Sequence, residues 1–133
     1  MKHVQTSIQA PYFTLNELTP KTKRIWMACH GYGQLAKYFM RRFDVLDPEE
    51  NFIIVPQGLS LFYLDSHEFK YQKVGASWIT REDRETALAN MQVYLNAAFE
   101  QETAGFDLSD VEISLFGFSQ GTAAITRWGI INK

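Results

Sequence analysis

The stretch VEISLFGFSQG, residues 111–121, decides the fold of this chain. It opens with an apolar run that predicts a strand, and the residues that follow it predict a helix. Between the two, the pattern Gly-x-Ser-x-Gly places Ser119 at a sharp strand-to-helix turn, the context in which a nucleophilic serine is presented. Because such a turn is tight, we expect a strained backbone at Ser119. Gly117 and Gly121 flank the serine and let the strand and helix pack closely.

The predicted turn also places the Ser119 hydroxyl at a helix N-terminus. Backbone N–H groups there, including that of Gln120, are free to stabilise an oxyanion. A second donor is expected from the loop HGYGQ, residues 30–34, whose glycines let the backbone come close to a ligand. An α/β-hydrolase takes its second donor from the loop after its third strand, and the apolar run 25–29 before this loop is the third strand predicted here.

Strand patterns fill the first part of the chain. Residues 3–8 and 12–18 each alternate with a period of two around Ala10-Pro11, which predicts an antiparallel hairpin. The continuous apolar runs 25–29 and 52–55 predict strands that are covered on both faces. Strands of this kind alternate with helical patterns further along, so we expect a mostly parallel sheet with helices on both of its faces.

Two helices and one long irregular stretch complete the pattern before the 111–121 stretch. Apolar residues at helical spacing predict a helix over residues 35–46. Residues 57–79 have no clear period, and this stretch either carries function or covers the core with its aromatic side chains. A second helix is predicted from a cap at Thr80 to a stop at Gly105.

Composition narrows the class of protein. The 133 residues correspond to one domain or part of one, with 46% hydrophobic and 21% charged residues, as in ordinary globular proteins. A net charge of −2 gives no indication of a nucleic-acid or anionic-membrane partner. No window is long enough to span a membrane, and the N-terminus carries no secretory signal. The single Cys29 excludes an internal disulfide and indicates a reducing, cytoplasmic location.

The histidines and the cysteine are weaker candidates for a catalytic or metal-binding role. His30 invites assignment as a catalytic base, but it precedes the serine and lies in the predicted oxyanion loop, so we expect it to fix that loop by local hydrogen bonds. We expect His3 to be solvated. His67 lies in the irregular stretch, and the cluster 65–68 around it lacks the spacing of metal ligands. Cys29 is expected to act as a small buried hydrophobe. The sequence therefore implies no metal and no cofactor.

Four motifs together resemble the phospholipase/carboxylesterase family of α/β-hydrolases, which includes the acyl-protein thioesterases. They are Gly117-Phe118-Ser119-Gln120-Gly121, His30-Gly31-Tyr32-Gly33, Ile54-Val55-Pro56-Gln57-Gly58 and Gly75-Ala76-Ser77-Trp78-Ile79. The resemblance implies an α/β-hydrolase fold for a single domain over residues 1–133, incomplete and without the C-terminal strands. It would begin with the N-terminal hairpin and continue through β/α units to the helix after Ser119. The chain has Thr122 where the family usually has a further glycine.

The resemblance also implies roles for particular residues. Ser119 would be the nucleophile, and the backbone N–H groups of Tyr32 and Gln120 would form the oxyanion hole. Supporting positions in the two loops would be His30, Gly31, Gly33, Gly117 and Gly121. The catalytic aspartate and histidine of the family lie in segments that have no counterpart in this chain.

Two hypotheses follow for function. The first is a serine hydrolase that cleaves a small acyl ester or thioester through an acyl-serine intermediate. The second is a truncated, catalytically inactive piece of a hydrolase fold that acts, if at all, as a binding or interaction module, and it is favoured for the 133 residues taken alone. Residues 111–116 would then become a sheet edge, which invites self-association.

Overall fold

The computed structural model describes residues 1–64 and 73–132. Six strands and three helices, with one 3-10 turn after the first helix, occupy these ranges. In chain order they are β1 (Tyr12–Leu15), β2 (Arg24–Cys29), α1 (Ala36–Phe39), the 3-10 turn (Met40–Phe43), β3 (Asn51–Pro56), β4 (Ser60–Tyr63), β5 (Val74–Ser77), α2 (Arg84–Thr103), β6 (Glu112–Gly117) and α3 (Gln120–Ile131).

Four strands form the main sheet in the order β1-β3-β2-β6. β2 runs parallel to both β3 and β6, whereas β1 is antiparallel to β3. The main sheet is therefore mixed, with two parallel pairings and one antiparallel pairing, which agrees with the predicted α/β class. Among the described strands, β6 lies at one end of this order. β4 and β5 form a separate antiparallel pair.

Alternate residues of the central strands pack into two apolar clusters, one on each face of the sheet. On one face Met27 and Ile54 belong to a buried cluster with α2 and α3. On the other face Ala28 and Ile53 are buried with α1 and the 3-10 turn. The period of two along each strand explains this division, since neighbouring side chains point to opposite faces. Both faces of β2 and β3 are buried, as their continuous apolar runs predict.

The predicted N-terminal hairpin is wrong. Residues 1–11 form no regular strand, and β1 pairs with β3 instead of with an earlier segment. The alternation over residues 3–8 has no face to bury, because Val4 and Ile8 are 87% and 69% exposed. The segment runs along α2, where the Tyr94 hydroxyl donates a hydrogen bond to the Pro11 carbonyl. Period-two alternation without burial does not specify a strand partner.

Other boundaries also differ from the prediction. The helix expected over 35–46 is a single α-helical turn that tightens into the 3-10 turn and ends at Phe43. The stretch 57–79, expected to be irregular, contains β4 and β5. Thr80 does not cap α2, because that helix begins after Asp83. Gly105 does follow the end of α2 with a positive φ of 83°, as predicted. Among the described helices, none is long and apolar enough to cross a membrane.

Candidate functional site

The turn around Ser119 joins β6 directly to α3. Ser119 has φ 54° and ψ −119°, a backbone conformation that L-residues rarely adopt. The Gly121 N–H donates to the Phe118 carbonyl at 2.9 Å and the Thr122 N–H to the Ser119 carbonyl at 3.0 Å, which starts the helix immediately after the turn. The predicted strand, sharp turn and helix, and the predicted strain at the serine, are confirmed.

Two glycines make this close packing possible. A Cβ atom on Gly117 would lie 2.5 Å from the Cα atom of Thr122, so the strand end and the first helical turn leave no room for a side chain. A Cβ atom on Gly121 would overlap the carbonyl oxygens of Cys29, the last residue of β2, and of His30, the first residue of the loop that follows. α3 therefore begins in backbone contact with both β6 and β2.

The loop 30–34 lies beside this turn. Parallel pairing sets Cys29 opposite Gly117, and the Phe118 N–H donates to the Cys29 carbonyl at 3.1 Å. A Cβ atom on Gly31 would lie 2.8 Å from the Phe118 ring. The two loops thus meet at the carboxyl ends of β2 and β6, the end of a parallel sheet where ligands bind in α/β proteins.

Backbone donors remain available at this meeting point. Within residues 1–64 and 73–132, neither the Tyr32 N–H nor the Gln120 N–H has a hydrogen-bond acceptor. Tyr32 is 60% exposed, and the ring of Phe62 on β4 stacks on it with centroids 5.1 Å apart. Chemically, unpaired backbone N–H groups are suited to binding a carbonyl oxygen that gains negative charge.

His30 is buried behind the loop and uses both ring nitrogens. Nε2 accepts a hydrogen bond from the Gly58 N–H at 3.0 Å, so the ring proton lies on Nδ1, which donates to the Gly31 carbonyl at 2.8 Å. Burial lowers the pKa of His30 below its ordinary value, and the bond to Gly31 opposes this shift more weakly. A neutral imidazole with both nitrogens engaged fixes the loop, as predicted, and is not placed to accept a proton from Ser119.

A group of hydrogen bonds that the sequence did not reveal connects the site to β5. The Gln120 side chain accepts from the Trp78 N–H with Oε1 and donates to the Ile79 carbonyl with Nε2, both at 2.8 Å. The Trp78 indole N–H donates to the His30 carbonyl, also at 2.8 Å. The sequence marks Trp78 as one aromatic residue of the stretch 57–79 and as part of the segment 75–79 that resembles the family pattern. These contacts join residues more than 40 positions apart, so no local sequence signal announces them.

The remaining candidates lie away from this arrangement. His3 is exposed, and its Nε2 lies 2.8 Å from an Asp83 carboxylate oxygen, which together with Thr86 lowers the pKa of Asp83. Cys29 is fully buried, and burial raises the pKa of its thiol, so it packs as the small hydrophobe predicted. His67 and the rest of the 65–68 cluster lie outside the described residues.

The described part of the chain supplies no base to Ser119. In residues 1–64 and 73–132 the Ser119 hydroxyl has no hydrogen bond to a histidine or a carboxylate, and His3 and His30 are committed to other partners. Over the same ranges no three His, Cys, Asp or Glu side chains are grouped closely enough to hold a metal ion. The site as described therefore consists of a strained serine and backbone donors.

Solved structures share this fold. The structure titled "Crystal structure of esterase PE8" is 20% identical in sequence, with a TM-score of 0.57 over 92% of this chain and 58% of its own. The acyl-protein thioesterase 2 of Zea mays is 15% identical, with a TM-score of 0.54 over 90% of this chain and 51% of its own. The chain thus spans between half and three-fifths of the length of these α/β-hydrolases. The likeness confirms, at the level of the fold, the resemblance noted in the sequence.

No protein-family model matches the chain, and a search of curated proteins finds no match.

Proposed function

We propose that the protein containing this chain is a serine hydrolase of the carboxylesterase or thioesterase type, with Ser119 as its nucleophile. The observation that carries the proposal is the backbone of Ser119, which has a φ of 54° between β6 and α3. Such a turn raises the serine hydroxyl clear of the strand and directs it to the helix N-terminus. Esterase and thioesterase folds among the solved structures support the same reaction class.

In the proposed reaction, the Ser119 oxygen attacks the carbonyl carbon of a small acyl ester or thioester. The carbonyl oxygen becomes an oxyanion, which accepts hydrogen bonds from the Tyr32 and Gln120 N–H groups. Collapse of the tetrahedral intermediate expels the alcohol or thiol and leaves an acyl-serine, which water then hydrolyses. The serine proton passes to a histidine oriented by an aspartate, and the histidine then gives it to the departing alkoxide or thiolate, as in other serine hydrolases. We propose that both come from outside the described residues.

Labelling with a fluorophosphonate tests this assignment. In the full-length protein we expect covalent labelling of Ser119, since the probe reacts with activated serines and its phosphoryl oxygen occupies the oxyanion site. Ser119→Ala should abolish labelling. Ser60→Ala, at an exposed serine of β4, should leave it unchanged. Unlabelled full-length protein, or equal labelling after Ser119→Ala, contradicts the assignment.

A second candidate function is a binding module without turnover. It is favoured by the absence of a base beside Ser119 in the described residues, since an oxyanion site alone retains only a small part of the rate enhancement of a complete triad. Turnover of p-nitrophenyl acetate and of a short acyl thioester by the isolated 133 residues separates the two candidates. Turnover that is lost in Ser119→Ala defeats the binding-module hypothesis.

The single buried cysteine further leads us to propose a reducing, cytoplasmic location.

A further inference from the structure

We propose that residues 76–79, the end of β5 and the two residues after it, form a brace that sets the distance between the two backbone donors of the oxyanion site. Its positioning residues are Trp78 and the side chain of Gln120. The inference rests on the proposed function and deepens it, because it assigns side chains to the task of holding the Tyr32 and Gln120 N–H groups in place.

The brace holds the Tyr32 loop by its backbone. The Gly33 N–H donates to the Ala76 carbonyl at 2.9 Å, and the Ala76 N–H donates to the Gln34 carbonyl at 3.0 Å. This reciprocal pair fixes the two residues that follow Tyr32. A Cβ atom on Gly75 would overlap the backbone of Gly33, so the strand and the loop are in direct backbone contact.

The same segment holds the start of α3 through one side chain. Gln120 accepts from the Trp78 N–H and donates to the Ile79 carbonyl, both at 2.8 Å. A neutral amide both donates and accepts, which a carboxylate or a hydrocarbon side chain of similar length does not. Gln120 therefore has its side chain anchored on the brace, while its backbone N–H has no acceptor among the described residues.

Trp78 connects the two halves. Its backbone N–H is bonded to Gln120, and its indole N–H donates to the His30 carbonyl at 2.8 Å. The indole is 4% exposed, and its ring lies 4.9 Å from the His30 imidazole. One residue thus contacts both donor loops. An oxyanion donor that shifts by about 1 Å loses much of its effect, so the brace is expected to act on rate more than on substrate binding.

Substitutions that keep both backbone donors test the brace. Trp78→Phe removes the indole N–H and keeps an aromatic ring, and Gln120→Met removes the side-chain hydrogen bonds to Trp78, Ile79 and Ser77 at similar length. A matched control is Trp128→Phe, since Trp128 is also buried and its indole N–H donates to Asn96 at 2.8 Å, in the packing of α2 on α3. We expect the second-order rate of fluorophosphonate labelling in the full-length protein to fall about tenfold or more in the first two variants, with little change in Trp128→Phe.

A second measurement separates positioning from a loss of folded protein. If turnover is followed, kcat should fall with KM nearly unchanged, because contacts to the oxyanion form only in the transition state. Wild-type rates in both Trp78→Phe and Gln120→Met, or a loss matched by Trp128→Phe at equal thermal stability, overturn the inference alone. A wild-type protein that is not labelled at Ser119 overturns the proposed function and the inference with it.

Discussion

Among single residues, Ser119 carries the most demanding backbone. Asn16 and Asp83 also have positive φ angles, of 69° and 50°, but asparagine and aspartate adopt such values more readily than other residues. Ser119 combines a positive φ with a ψ of −119°, well outside the left-handed helical region. The backbone packing of Gly117 and Gly121 on either side holds it there. Strain of this kind is typical of functional positions.

Two variants, each with a smaller residue in place of Ser119, measure the strain in its backbone. Ser119→Ala and Ser119→Gly both delete the hydroxyl, but only glycine adopts a positive φ without a steric penalty. We expect Ser119→Gly to have a free energy of unfolding about 1 kcal/mol above that of Ser119→Ala, since relief of roughly 1–3 kcal/mol of strain exceeds the extra chain entropy of glycine. Urea unfolding of the two variants gives the difference. An alanine variant as stable as the glycine variant contradicts a strained turn.

Protonation of His30 should lower the stability of the protein. Because burial lowers its pKa in the folded state below the ordinary 6.5, the unfolded chain binds a proton at a higher pH than the folded protein does. The contribution of His30 is therefore complete above pH 6.5 and is lost as the pH falls below that value toward the lowered pKa. Protonation of Nε2 would also leave the Gly58 N–H without its hydrogen-bond acceptor.

The measurement is the free energy of unfolding at several pH values between 5 and 8, for the wild type and His30→Asn. Asparagine does not titrate, and its side-chain amide keeps a donor near the Gly31 carbonyl. We expect a smaller decrease in stability toward pH 5 in His30→Asn than in the wild type. The comparison removes every contribution that the two proteins share. Parallel curves are the outcome that contradicts the expectation.

The sequence predicts the site in part. Ser119, Gly117 and Gly121 follow from a local pattern in its strand and helix context, because the tight turn itself requires those residue types. The buried, bonded state of His30 follows from its place after a buried strand. The contact between Gln120 and Trp78 does not follow, since it joins residues 42 positions apart and depends on how a separate pair of strands docks. That the backbone donors act as an oxyanion hole stays a prediction.

Elements were predictable where burial and periodicity agree. β2 and β3 are apolar on both faces and buried on both, and α2 buries Leu88, Met91 and Leu95 at helical spacing. The predicted hairpin over residues 3–18 is wrong because alternation alone does not identify the strand that pairs with β1. In the structure, β1 pairs with the buried strand β3. The sequence does not predict β4 and β5, because β4 is mostly exposed and β5 is a four-residue segment of mostly small residues, so neither produces a regular apolar pattern.

The junction between β6 and α3 gives a prediction at the level of elements. Gly121 and Gly129 both lie in α3, so replacing either by alanine brings a similar gain from the higher helix propensity of alanine. A Cβ atom at 121 meets backbone carbonyl oxygens of the β2 loop, whereas a Cβ atom at 129 meets only the side chain of Leu115, which is 42% exposed and free to rotate. We expect Gly121→Ala to destabilise the protein by about 1–3 kcal/mol and Gly129→Ala to change it little or stabilise it by up to about 1 kcal/mol.

Thermal and urea unfolding of the two variants measure this difference. The labelling rate at Ser119 in the full-length protein reports whether the turn has also moved, and only Gly121→Ala is expected to slow it. Equal stability of the two variants would show that α3 shifts away from β2 without cost, contrary to the close packing described.

At the scale of the whole molecule, one edge of the described sheet has backbone groups that pair with no further strand. β6 lies at the end of the strand order, and in the described part of the chain it pairs with β2 alone. Ile113, Leu115 and Phe116 on this strand are each more than one-third exposed. Next to them a groove of about 500 Å³ runs between β6, α2 and α3, with Phe99 and Trp128 among its lining residues. An apolar edge with unpaired backbone groups is a template for pairing with another strand.

We propose that, for the 133 residues alone, a second copy of the chain pairs with this edge. Ile113→Lys places a charge on the strand and beside the groove. Lysine on an edge strand blocks edge-to-edge pairing in natural sheets. Val93→Lys is the matched control, because Val93 is 70% exposed on α2 and the variant carries the same added charge. Sedimentation over a range of concentrations should show association for the wild type and Val93→Lys, and a monomer for Ile113→Lys. A wild type that is monomeric throughout, or an Ile113→Lys variant that associates equally, contradicts pairing through β6.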